Sequence, residues 1–317
     1  MKKLLIVLLI LLAILAGLYA YFVYAPAPAQ PPLSASLQHD QIQVGELQRD
    51  FSYYVPKNLP ANPPLVFVLH GSLQTREDIR AFTGYEYERL ADANGFVLVY
   101  PQGFEKNWND CRAAADYPAR AQNIDDKGFI NALIQRFAAQ QHTDSHRVFL
   151  TGYSSGAHLG FRLALEQPTL LAGIGAVAAS LPTPDNLACQ PSGKAVSMLI
   201  VNGTDDPINP YTGGQVSLFG LGKRGTVRSA QDTALYFADL AGYTKASLNA
   251  PTSVANVHLQ QWQAPAQHEV ALYSLLGGGH VVPQPIYHAP RMLGATLPGF
   301  NAPEVIWAFF ARQPAQP

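Results

Sequence analysis

The chain has 317 residues with 21 basic and 22 acidic side chains, a net charge of −1 and no basic stripe or acidic tail, which argues against nucleic acid as a partner. Hydrophobic residues make up 48% and charged residues 14%, so a large core can be buried and a neutral or weakly charged ligand suits the balance. A chain of this length is compatible with one α/β unit.

The first 25 residues are of a different material. Lys2 and Lys3 precede an apolar run from Leu4 to Ala25, and no charged residue follows before Asp40. A secretory signal has an apolar region of about 7–15 residues, whereas about 20 apolar residues span a bilayer as a helix. Tyr19, Tyr21, Phe22 and Tyr24 gather at the far end, where amphipathic rings favour the membrane interface. Residues 1–25 are therefore expected to be a transmembrane anchor or a signal segment, with the lysines inside and the rest of the chain exported to the periplasm or beyond. Cleavage after Ala29 would give a secreted form, although the prolines around Ala27-Pro28-Ala29 make a poor site. Residues 26–36, which include most of APAPAQPP, read as a Pro-rich, semi-rigid linker holding the domain away from lipid. Residues 37–317 then form one domain.

Two short runs around Gly45 predict an antiparallel hairpin at a sheet edge. Leu65 to Leu69 (LVFVL) is a continuous apolar run suited to a strand buried on both faces. A helical stretch follows to Asn94, then strand Phe96 to Tyr100. A helix from about Asp125 to Gln140 carries an apolar stripe at Phe129, Ile130, Leu133, Ile134 and Phe137. Strand Val148 to Thr151, helix Ala157 to Glu166, strands Gly173 to Ala178 and Ser197 to Asn202, and helix Ser229 to Leu240 continue the alternation. Val257 to Trp262 and Glu269 to Leu276 read as further strands, and a helix around Pro303 to Ala311 closes the chain. Alternation of this kind predicts a mostly parallel sheet covered by helices on both faces.

Cys111 and Cys189 both lie in the exported part, and an isolated pair in an oxidising compartment reads as a disulfide. No His or Cys has metal-ligand spacing, so neither a metal nor another cofactor is expected. No sequence feature fixes an oligomeric state.

Gly152-Tyr153-Ser154-Ser155-Gly156 matches G-x-S-x-G, follows a strand and opens a helix, which is the placement of a nucleophile elbow in the α/β-hydrolase fold. A serine hydroxyl needs a histidine to take its proton. His280 follows a strand end and three glycines, where that base belongs, with His288 as the competitor. Asp205 and Asp206 both stand at the carboxyl end of Ser197 to Asn202, and spacing does not separate them as the acid that orients the histidine. The oxyanion donors are expected from the N–H of Ser155 and from Ser72 or Leu73, directly after LVFVL-His70-Gly71. His70 reads as structural. Trp108 and Tyr153 are candidates to line a substrate pocket.

Taken together, the blocks at 65–74, 97–103, 107–111, 124–134, 146–159, 201–214, 277–280 and 305–310 resemble those of the polyhydroxybutyrate depolymerase-like esterases, which include feruloyl and acetylxylan esterases. The resemblance implies Asp206 as the acid beside Ser154 and His280, and a structural role for Asp125 and Asp126 at a helix N-terminus. It further implies hydrolysis of carboxylic esters, either polyhydroxyalkanoate-type oligomers or acyl and feruloyl esters of saccharides, through an acyl-enzyme. Val281-Val282-Pro283-Gln284 departs from the family's Trp-Pro-Gly after the histidine, and Ser72 stands where relatives often carry Cys. A peptidase on the same fold and a noncatalytic binding protein on the same scaffold are the competing readings.

Overall fold

The computed structural model describes residues 2–316. Helix α1, Lys2–Phe22, has none of its residues buried, and only its last turn meets the body, where Arg291 lies over the Tyr21 ring. It is long and apolar enough to cross a membrane, rising about 31 Å at 1.5 Å per residue. The linker is fastened at its far end. The Ser34 N–H and hydroxyl both donate to the Asp92 carboxylate, which also receives the Tyr54 hydroxyl at 2.6 Å. Leu33, Ala35 and Leu37 pack on the core. Ser34, a small polar residue beyond the prolines, thus gives the semi-rigid linker a docking point on the domain.

Strands β1 (Gln38–Val44) and β2 (Leu47–Tyr54) form the expected hairpin. They join β3 (Leu65–Leu69), β4 (Val97–Pro101), β5 (Val148–Tyr153), β6 (Gly173–Val177) and β7 (Met198–Gly203) in one ten-stranded sheet. Two short strands, β8 (Gly214–Gln215) and β9 (Thr226–Val227), make a separate flap. Strands β10 (Leu248–Pro251), β11 (Val257–Trp262) and β12 (Val270–Leu275) complete the main sheet in the order β1-β2-β4-β3-β5-β6-β7-β12-β11-β10. From β4 to β12 neighbours are parallel, and antiparallel hairpins extend both edges.

Every residue of β3 to β7 is buried, as a strand covered on both faces demands. Side chains alternate between two cores. Leu65, Phe67 and Leu69 meet Phe129, Leu133 and Phe137 of α5 (Asp126–Gln141), together with α6 (Ser155–Glu166) and α7 (Ala230–Leu240). Val66 and Val68 face Ile79 and Phe82 of α2 (Arg76–Phe82), Tyr87 and Ala91 of α3 (Glu86–Asn94), and α8 (Ala302–Ala311). A short α4 spans Pro118–Ala121.

Of the two acids before α5, Asp125 caps the helix, accepting the Gly128 N–H at 2.8 Å. Asp126 does different work. It bonds Arg49 of β2 at 2.7 Å and the Asn109 N–H at 2.6 Å, tying the 107–111 loop to the sheet edge. Cys111 and Cys189 are joined in a disulfide.

Candidate active site

Ser154 stands between β5 and α6 with φ 52° and ψ −114°, a conformation that non-glycine residues adopt only under strain and where the surroundings hold it. Both flanking glycines are required by close approach. A Cβ at Gly152 would lie 2.3 Å from the Gly156 backbone, and one at Gly156 would lie 2.6 Å from the Leu69 carbonyl. The serine is thus lifted over the carboxyl edge of the sheet, and its N–H is fixed on the Val177 carbonyl at 2.9 Å.

The His280 Nε2 lies 2.9 Å from the Ser154 Oγ, and its Nδ1 lies 2.7 Å from Asp206 Oδ2. Asp206 Oδ1 accepts the N–H groups of Ile208 and Asn209 at 2.8 Å each, which fixes the carboxylate plane. With Nδ1–H donating to Asp206, Nε2 is left to accept the serine proton. Asp205 is exposed and bonded to the Thr204 hydroxyl, so the two acids that spacing left equal are separated by burial and direction. His280 is 3% exposed, whereas His288 lies exposed in its loop. The His280 backbone is clamped on both sides. Its N–H donates to the Leu293 carbonyl at 2.6 Å, and its carbonyl accepts the Tyr153 hydroxyl at 2.7 Å.

That bond gives Tyr153, a candidate to line the pocket, a structural role instead. Its ring is buried between Phe82 and His280 and against Gly71, where a Cβ would come within 2.8 Å of it. Trp108 is corrected likewise. It is fully buried, its ring packs on His70, and its Nε1–H donates to the His70 carbonyl at 2.9 Å. Both rings are buried and support the loops of the site.

The loop after β3 is shaped by His70, whose Nδ1–H donates to the Gly71 carbonyl and whose Nε2 accepts the Gly103 N–H. Burial pushes the His70 ring down to about 4, so it is neutral at neutral pH. The Leu73 N–H is taken by the Lys106 carbonyl at 2.9 Å. Ser155 opens α6, and a first-turn N–H has no partner within its helix.

Behind the serine lies a buried polar cluster that the sequence did not reveal. Arg112 bonds Asp110 at 2.6 Å, and Tyr117 donates to the same carboxylate. Burial raises the Asp110 carboxyl, but the Arg112 guanidinium outweighs it and holds the group at about 2. His158, one turn after Ser154, is buried beside this cluster, and burial together with Arg112 pushes it well below the ordinary histidine range. The NWNDC block held Asp110 in plain view, yet nothing in it announced Arg112 as its partner. Among the described residues no group of three or more His, Cys, Asp or Glu comes together to hold a metal ion.

The resemblance read from the motifs is borne out over residues 50–183, which match the family model described as esterase PHB depolymerase. An acetylxylan esterase A from Talaromyces purpureogenus is 32% identical over 39% of this chain and 33% of its own. A poly(3-hydroxyalkanoate) depolymerase C from Paucimonas lemoignei is 30% identical over 39% of this chain and 30% of its own. The chain spans about half or less of the length of the curated relatives it matches. In a solved structure, an acetyl xylan esterase from Aspergillus awamori, 96% of that chain aligns with 79% of this one at a TM-score of 0.55 and 20% identity. At that identity the likeness is one of fold, and the fold is the α/β-hydrolase fold expected from the sequence.

Proposed function

We propose, on the premise that residues 50–183 carry the pattern of the esterase PHB depolymerase family, that this chain is a serine esterase acting on carboxylic esters. The observation that carries the reading is the hydrogen-bonded series Ser154–His280–Asp206, with spacings of 2.9 and 2.7 Å. Ser154 attacks the ester carbonyl while His280 takes its proton, and Asp206 steadies the imidazolium. The oxyanion rests on the N–H groups of Ser155 and Ser72. The alcohol leaves with the proton from His280, and water returned through the same base releases the acid and restores Ser154. Tyr153 acts through His280 as a positioning residue.

The substrates named for the relatives, acetylated xylan and poly(3-hydroxyalkanoate), suggest acyl esters of saccharides or hydroxyalkanoate oligomers as the class. The apolar α1 and the disulfide support an exported enzyme held at the outer face of the cytoplasmic membrane. Hydrolysis of p-nitrophenyl acetate, butyrate and octanoate, measured beside Ser154→Ala, tests the reading. Activity abolished by that change is the expected result. Equal rates from both folded proteins would overturn it in favour of a peptidase or a noncatalytic binder.

A further inference from the structure

The end of α1 does not float free of the enzyme. Arg291 places its guanidinium 4.3 Å over the ring of Tyr21, in the last turn of the helix. Two residues on, the Leu293 carbonyl accepts the His280 N–H, so the strap that holds the base also meets the top of the membrane helix. Leu293 in turn packs with Leu218 of the β8–β9 flap on the cluster of Ile208, Val216 and Val227, and the Ile208 N–H donates to Asp206. From that flap Phe219 and Leu221 project into solvent, 48% and 76% exposed. Helix end, base strap, acid loop and apolar flap tip form one continuous series at the carboxyl edge of the sheet.

A soluble domain has little reason to present such a tip to water. The second fastening point, Ser34 on Asp92, fixes the linker after α1, so the domain is held on its anchor at two places. Arg291 and Lys223, both exposed beside these elements, supply cations at the level where lipid phosphates lie.

We propose that the rim of the Ser154 site rests on the bilayer that α1 crosses, and that the enzyme takes esters whose acyl chain lies in that bilayer. This rests on the esterase reading for its chemistry and on the α1 contact for its geometry. Phe219 and Leu221 enter the headgroup region, and the acyl chain passes from lipid to Ser154 without crossing water. The polar alcohol, a sugar or glycerol headgroup, is the product released to the aqueous side.

The full chain, placed in phosphatidylcholine vesicles, tests this with one chromophore presented in two ways: p-nitrophenyl acetate in water and p-nitrophenyl palmitate dissolved in the bilayer. Inserting about 20 Gly and Ser residues after Ala29 lets the domain drift by roughly 25 Å on average. Phe219→Asp/Leu221→Asp removes the apolar tip. Both variants should keep the acetate rate and lose palmitate hydrolysis about tenfold or more, as expected when two large apolar side chains no longer enter lipid. Palmitate turnover preserved in both would overturn the proposal.

A separate readout needs no activity. Because Cys111 and Cys189 are bonded to each other, Leu221→Cys offers a single thiol for a polarity-sensitive dye. A blue shift quenched by spin-labelled lipid supports the proposal even if neither ester is hydrolysed, the case in which the esterase reading alone fails. An unshifted dye, or a shift that spin-labelled lipid leaves unquenched because protein covers the tip, overturns it.

Discussion

Replacing Asp126 by leucine should be among the most damaging single changes outside the site. Its carboxylate is fully buried and accepts Arg49 at 2.7 Å and the Asn109 N–H at 2.6 Å. Arg49 is itself only 4% exposed, lies 4.3 Å over the Phe129 ring, and has the Gln102 carbonyl at 3.2 Å as its other oxygen partner. Without Asp126 the guanidinium stays buried and uncompensated, which costs about 3–5 kcal/mol. In a domain of this size that lowers the melting temperature by about 10 °C. Arg49→Met should cost a similar amount by stranding the carboxylate. The double variant, with both charges gone and the volume filled, should be less harmed than the two singles summed, by at least about 1.5 kcal/mol. Urea unfolding of the detergent-solubilised chain, followed by tryptophan fluorescence, measures all three. Singles costing under about 1 kcal/mol, or a double equal to their sum, would refute the account of Asp126 as the charge partner that Arg49 requires.

The buried, neutral His70 ring predicts a pH effect. In the unfolded chain it takes a proton near 6.5, and in the folded one only near 4, so its contribution is complete above 6.5 and is lost as pH falls toward 4. Between pH 7 and pH 5 His70 alone should account for a loss of about 2 kcal/mol in urea titrations, with buried His158 adding in the same direction, and a flat profile would contradict the burial argument. Cys111→Ser opens a loop of sequence separation 78 and should cost about 4 kcal/mol in non-reducing urea titrations. Asp206→Asn should lower kcat on p-nitrophenyl acetate by roughly 10⁴ while leaving the fold intact by circular dichroism, and a fall under tenfold would remove Asp206 from the mechanism. Gly156→Ala, pressing a methyl against the Leu69 carbonyl, should misplace Ser154 and reduce the same rate by roughly 10².

The parts of the fold that could be read from sequence were those where chemistry leaves one choice. LVFVL has no polar face and can only be a strand buried on both sides, and G-x-S-x-G between a strand and a helix needs its glycines because backbones meet there. The hairpin at Gly45 and the helix after Asp125 were legible for similar local reasons. Position across the sheet was not. The order of strands depends on which apolar surfaces meet, and Tyr153 and Trp108 look the same in sequence whether they face a substrate or the loop behind it. Asp205 and Asp206 are adjacent and chemically identical, so only the direction of the turn after β7 distinguishes them. The residues 33–37 and the flap at 214–227 lack periodicity, and their attachments come from contacts distant in sequence.

The disulfide has a topological consequence. Cys111 and Cys189 enclose α4, α5, β5, α6 and β6, so Ser154 lies inside a covalent ring while Ser72, Asp206 and His280 lie outside it. The loop around His142 and Ser145 is exposed, and it also falls within the ring. A protease that cuts there opens the ring but separates nothing. The fragment bearing Ser72 stays bonded to the one bearing Ser154, Asp206 and His280, and the two halves of the site remain a single molecule.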